Sequence, residues 1–103
     1  MKQSYITLSG SAQEEIIIHK SRFIGYAAPF DREAGALSFL QRIKETHKTA
    51  THHCFAYIIG ENNGIMRYSD DGEPGGTAGL PIMDVLRQKQ IVNCCVVVVR
   101  YFG

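Results

Sequence analysis

Apolar and polar positions change period several times along the chain, and each change marks an element. Residues 5–8 form a short strand candidate, punctuated by Ser9, Gly10, Ser11 and Ala12. From 15 to 30, Ile16, Ile18 and Phe23 alternate in places with His19, Lys20 and Arg22. That pattern predicts one long strand, bulged near Ser21 and ended by Pro29. Asp31 is placed as a helix N-cap, and Glu33 suits the first turn. Ala36, Phe39, Leu40, Ile43 and His47 then recur at helical spacing, with Lys44 and Lys48 where cations suit the helix dipole. Residues 51–59 alternate and are rich in aromatics, which predicts a strand. Gly60, Glu61, Asn62, Asn63 and Gly64 read as a hairpin turn, and 65–68 as its partner strand. A second helix is expected from Thr77 or Ala78, with Pro81 in its first turn and Ile82, Val85 and Leu86 facing the core. Residues 92–99 are continuously apolar, as in a strand buried on both faces. The order β-β-α-β-β-α-β predicts an α/β (α+β) two-layer sandwich: a mixed β-sheet with two helices on one face.

Composition narrows the function classes. The chain has 103 residues, 45% of them hydrophobic and 20% charged, so it reads as one globular domain. A formal net charge of +1 lacks the bias of a strongly basic nucleic-acid binder. Cys54, Cys94 and Cys95 are an odd count with a vicinal pair, which suits a reducing compartment and not a disulfide framework. Neither a signal-peptide h-region nor a stretch long enough for a membrane span is present, so a cytoplasmic protein without a membrane partner is expected. The apolar 92–99 run ends at Arg100, Tyr101, Phe102 and Gly103 with nothing after it to cover the strand. A domain spanning 1–103 but incomplete at its C-terminus is expected, and with it a homodimer from the exposed sheet.

Candidate chemistry concentrates in Ser69-Asp70-Asp71-Gly72-Glu73-Pro74-Gly75-Gly76-Thr77-Ala78-Gly79. Carboxylates on a turn suit a hard cation, and a glycine-rich turn opening a helix offers N–H groups to an anion. Asp70, Asp71 and Glu73 are therefore candidate Mg²⁺ ligands, with Gly72, Gly75, Gly76, Thr77 and Gly79 lining a phosphate site. No other cofactor is called for. The competing expectation is a solvated acidic turn that caps the helix, with Thr77 as N-cap and Arg67 or Arg100 as ion partner. Arg100 and Tyr101, at a strand end, are candidates for binding a carboxylate or phosphate. His52, His53 and Cys54 raise a metal or nucleophile reading, yet on a strand His52 and Cys54 share a face while His53 points away. Lys20, Arg22 and Phe23 are candidates for an RNA face, with Tyr26 as a further stacking group.

Several segments carry a family resemblance. They are Lys20-Ser21-Arg22-Phe23-Ile24, Ala50-Thr51-His52-His53-Cys54-Phe55-Ala56-Tyr57, the 69–79 loop, and a spaced pattern from Gly79 through Ile82, Met83, Leu86, Ile91, Val97 and Val98 to Arg100-Tyr101-Phe102-Gly103. The chain resembles the IMPACT family of YigZ-type proteins over nearly its whole length. Gly75 departs from the pattern, where family members usually carry Ser. The resemblance implies a fold similar to the second domain of ribosomal protein S5. It also implies that eukaryotic relatives are translational regulators, which compete for the activator of a kinase acting on an initiation factor. Bacterial members have no settled biochemical role.

Three readings follow. The first is a binding module in translation control, acting through a protein or ribosomal partner and without turnover. The second is a Mg²⁺-dependent nucleotide or phosphate binder, or an enzyme, using the 69–79 loop. The third is an RNA-binding domain.

Overall fold

The computed structural model describes residues 7–62 and 64–102. Its elements are β1 (Ala12–Ile18), β2 (Ser21–Pro29), α1 (Glu33–Thr46), β3 (His52–Ile59), β4 (Ile65–Ser69), α2 (Gly79–Gln88) and β5 (Cys94–Phe102). The five strands form one sheet in the order β1-β2-β5-β3-β4, and its four pairings are all antiparallel.

The α/β class stands, and several local expectations change. The strand expected at 5–8 falls partly outside the described residues; Thr7 and Leu8 are not in a strand. The single long strand is instead a hairpin: Ile18 pairs with Ser21 across a turn made by His19 and Lys20. His19 has φ 55, in the left-handed region that His enters more readily than most residues. With no Gly, Pro or Asn in the turn, the two strands read as one. Asp31 does not cap α1; Arg32 stands at the N-cap and makes no side-chain cap bond. Glu33 is in the first turn as expected, and its carboxylate accepts the Tyr57 hydroxyl at 2.6 Å, tying α1 to β3. In α2, Met83 and Leu86 are buried, whereas Val85 is 48% exposed.

Helix placement also differs from expectation. Ala36, Leu40 and Ile43 of α1 pack on Tyr57, Ile59, Cys95, Val97 and Val99. Met83 and Leu86 of α2 pack on Ala56, Ile58 and Cys94. These are alternate positions of the same two strands, so the helices cover opposite faces of the sheet. The two β-α-β crossovers travel in opposite directions between oppositely directed strand pairs. Equal handedness would place α1 and α2 on one face, so one of the crossovers takes the less common left-handed sense.

As its continuous apolar run predicts, β5 is the central strand, and Cys94, Cys95, Val97 and Val99 are fully buried. Burying a Val of this kind is worth roughly 1.5–3 kcal/mol. Coverage is uneven on the α2 side, because α2 lies over β3 and β4. Phe23, Gly25, Ala27, Val96 and Val98 on that face are only half-buried. The candidate site sits where this open stretch meets the N-terminus of α2.

Candidate functional site

The chain leaves β4 at Ser69 and must reverse within a few residues to start α2. Asp71 (φ 45), Gly72 (φ 88) and Gly76 (φ 78) take the left-handed backbone that the reversal needs. The Glu73 N–H donates to the Asp70 carbonyl at 2.9 Å, and the Thr77 N–H to the Pro74 carbonyl at 3.1 Å. Thr77 turns its hydroxyl back onto the Pro74 carbonyl, so it is not the N-cap; Ala78 stands there.

Asp70 caps α2 from outside the helix. Its carboxylate accepts the N–H groups of Gly76 at 2.9 Å, Ala78 at 3.0 Å and Gly79 at 2.8 Å. These hydrogen bonds, that from Gly76 foremost, hold the Asp70 carboxyl below its ordinary pKa. The donors that a phosphate would use are thus engaged by a side chain of the same loop. Gly79 allows this closure, since a Cβ there would overlap the Ser69 backbone.

The other two carboxylates turn toward the sheet. Both oxygens of Glu73 accept from Arg100 Nη1 at 2.9 Å, and one lies 2.9 Å from His52 Nε2. The Asp71 carboxylate accepts the His53 backbone N–H at 2.6 Å, while its carbonyl oxygen lies 2.6 Å from His52 Nδ1. Asp70, Asp71 and Glu73 therefore point to different partners. Among the described residues, no three His, Cys, Asp or Glu side chains are grouped to hold a metal ion.

His52 and Cys54 do share a face, with His53 on the other. All three anchor the loop: the Cys54 thiol donates to the Asp70 carbonyl at 3.2 Å. Burial, reinforced by Glu73, Asp71 and Asp70, pushes this thiol up to about 11, and Cys94 and Cys95 are raised by burial to about 11 and about 12. None of the three is poised as a thiolate nucleophile.

Arg100 connects the loop to the open face. Its guanidinium lies 4.1 Å from the Phe102 ring centre and 5.2 Å from that of Phe23, and Nη2 donates to Ser21 Oγ at 3.3 Å. Its Nε is buried without a hydrogen-bond partner among the described residues. Beside it opens a cavity of about 180 Å³, walled by Phe23, Cys54, Ile82 and Val98 and rimmed by Glu73 and Thr77.

Tyr101 is on the opposite face and does not join this site. His47, at the C-cap of α1, holds the Tyr101 hydroxyl at 2.5 Å on Nδ1 and the Tyr26 hydroxyl at 2.7 Å on Nε2. Burial first, then Arg22 and His53, keep His47 below its ordinary pKa. Sequence spacing gave no sign of this network, because its members come from β2, the C-cap of α1 and β5. The RNA candidates are divided as well. Lys20 is in the hairpin turn, Arg22 bonds Glu15 at 3.0 Å on the α1 side, and Phe23 lies beside Arg100 on the α2 side.

The family profile described as the Impact N-terminal domain matches residues 19–103. The chain belongs to the IMPACT family. It is 48% identical over 103 residues to IMPACT family member YvyE of Bacillus subtilis, covering all of this chain and 48% of that protein. To IMPACT family member YigZ of Escherichia coli it is 40% identical over 88 residues, covering 84% of this chain and 43% of the relative. The chain spans about half the length of the curated relatives it matches. A crystal structure titled as that of a hypothetical protein superposes with a TM-score of 0.91 at 34% identity, covering 100% of this chain and 51% of the other. The two-domain translational regulator Yih1 superposes with a TM-score of 0.69 at 24% identity, over 100% of this chain and 43% of Yih1, and shows the fold alone. Gly75 has open space around it, so a Ser fits there without a clash.

Proposed function

We propose that this chain is the binding module of a cytoplasmic, translation-linked regulatory protein and acts through a protein or ribosomal partner. The translation link comes from IMPACT membership and the role the family resemblance implies. The observation that carries the binding reading is the contrast within the site. Asp70, Asp71 and Glu73 are engaged by groups of the same chain, whereas the preformed cavity beside Arg100 has walls that are mainly apolar. Such a cavity suits an aliphatic side chain of a partner polypeptide. Catalysis is not needed to account for any of these groups.

The test uses immobilised chain exposed to purified ribosomal subunits and initiation factors, with two variants run in parallel. Thr77→Trp fills the cavity from its exposed rim, and Arg100→Met removes the guanidinium beside it. The parent is expected to retain a defined translation component, and Thr77→Trp to lose it while keeping the parent's melting midpoint. Retention that is equal in parent and Thr77→Trp would rule out the cavity as the contact, and a parent that retains nothing would reject the reading.

A further inference from the structure

We propose that His52 is a proton-dependent latch on the 69–79 loop: protonated on both ring nitrogens it holds the loop against the sheet, and loss of one proton loosens it. Nδ1 lies 2.6 Å from the Asp71 carbonyl oxygen, and Nε2 lies 2.9 Å from Glu73 Oε1. A carbonyl and a carboxylate only accept, so each contact needs an N–H on the ring. A neutral imidazole has one N–H and sets a lone pair against the other oxygen. Both Glu73 oxygens already accept from Arg100 Nη1, so the N–H at the Glu73 contact is the ring's own. The His52 and Glu73 side chains are 16% and 14% exposed, so water does little to relieve a mismatch there.

The charges around the ring agree with this count. From β5, Arg100 is the ladder partner of His52 and brings a positive charge, while the loop brings the Glu73 and Asp71 carboxylates. A positive charge on His52 balances the group. Asp70 is engaged by the N–H groups at the start of α2. Cys54, on the same face of β3, is a neutral thiol that burial pushes up to about 11. Ser21 and Phe23 of β2 and Phe102 of β5, whose ring centre is 6.0 Å from that of His52, carry no charge. His53 is on the opposite face, where Nε2 donates to the His47 carbonyl at 2.8 Å and Nδ1 lies 3.6 Å from the Asp71 carboxylate.

The ring is placed to control the reversal of the chain. Asp71 and Gly72 take left-handed backbone, and a Cβ at Gly72 would stand 3.3 Å from the His52 ring. The Glu73 carboxylate that His52 holds is part of the rim of the Arg100 cavity. Falling pH therefore tightens that rim and rising pH relaxes it, whether or not a partner fills the cavity.

NMR of this chain from about pH 5.5 to about pH 8.5 tests the proposal. The His52 ring nitrogens are followed by their ¹⁵N shifts, and the loop by hydrogen exchange of the Glu73 amide, which donates to the Asp70 carbonyl. Protection of that amide, corrected for the intrinsic rate, is expected to fall about tenfold as one charge-assisted bond is lost. Its midpoint should coincide with that of the His52 ring. His52→Gln should abolish the pH response, and His53→Gln should keep it. Protection that does not change while His52 loses its proton would overturn the proposal. So would a response that persists in His52→Gln, or one that vanishes in His53→Gln, which would make His53 the latch.

Discussion

Asp70 shows how one side chain can decide what a loop is available to do. The sequence marks 69–79 as a place where carboxylates and helix N–H groups coincide, and in the fold Asp70 does meet the N–H groups at the start of α2. Which of the two serves the other was not legible. The spacing from Asp70 to Gly76, Ala78 and Gly79 becomes a cap only after the left-handed turns at Asp71, Gly72 and Gly76 fold the loop back. The consequence is a definite pH dependence. Asp70 has a lower pKa folded than unfolded, so the unfolded chain binds more protons in the acid range. Its contribution is complete above the unfolded pKa and is lost as pH falls through the folded value. Asp70→Ala should lower the urea midpoint at neutral pH and flatten the decline of stability between about pH 5 and pH 2. Parallel acid titrations for parent and variant would show that the carboxylate does not cap α2.

Elements were legible where period and length agreed. Both helices, β3 and the central β5 stand close to where the apolar pattern puts them, but the 92–99 run is fully buried only on its α1 face beyond Cys94, since Val96 and Val98 on the α2 side are half-buried. Errors fell where local chemistry was atypical. His19 and Lys20 are not the residues expected in a tight hairpin, and Arg32, not Asp31, stands at the N-cap of α1, without a side-chain cap bond. The start of α2 is set by contact, not by propensity. Gly79 abuts the Ser69 backbone, so Gly79→Ala should cost about 1–3 kcal/mol in urea unfolding as the strand end and helix are pushed apart. Gly75→Ser, in open space four residues earlier, should stay within about 0.5 kcal/mol. Equal effects at the two positions would place the closure of the loop elsewhere.

For the whole molecule, class was readable from element order but layer placement was not. Strand order and crossover handedness arise from the assembled sheet, so nothing local to α1 or α2 announces that they lie on opposite faces. The same topology explains the open α2-side surface of β2 and β5 and places Arg100 at its edge. Tyr101, one residue on, points to the other face and enters a different network with His47 and Tyr26. Adjacent residues in a strand that share one sequence motif thus serve two separate surfaces. Among the described residues, no helix is long and apolar enough to cross a membrane.

The central claim is that the 69–79 loop is a scaffold satisfied by its own groups, beside a cavity that binds a partner. A thermal-shift titration with MgCl₂ and a panel of nucleotides, on the parent and on Asp71→Ala, tests it most directly, because a ligand that binds only the folded chain raises its melting midpoint. The account predicts no Mg²⁺-dependent rise with any nucleotide, and a lower midpoint for Asp71→Ala through loss of the bond to the His53 N–H. A Mg²⁺-dependent rise in the parent that disappears in Asp71→Ala would contradict it and make the loop a phosphate site.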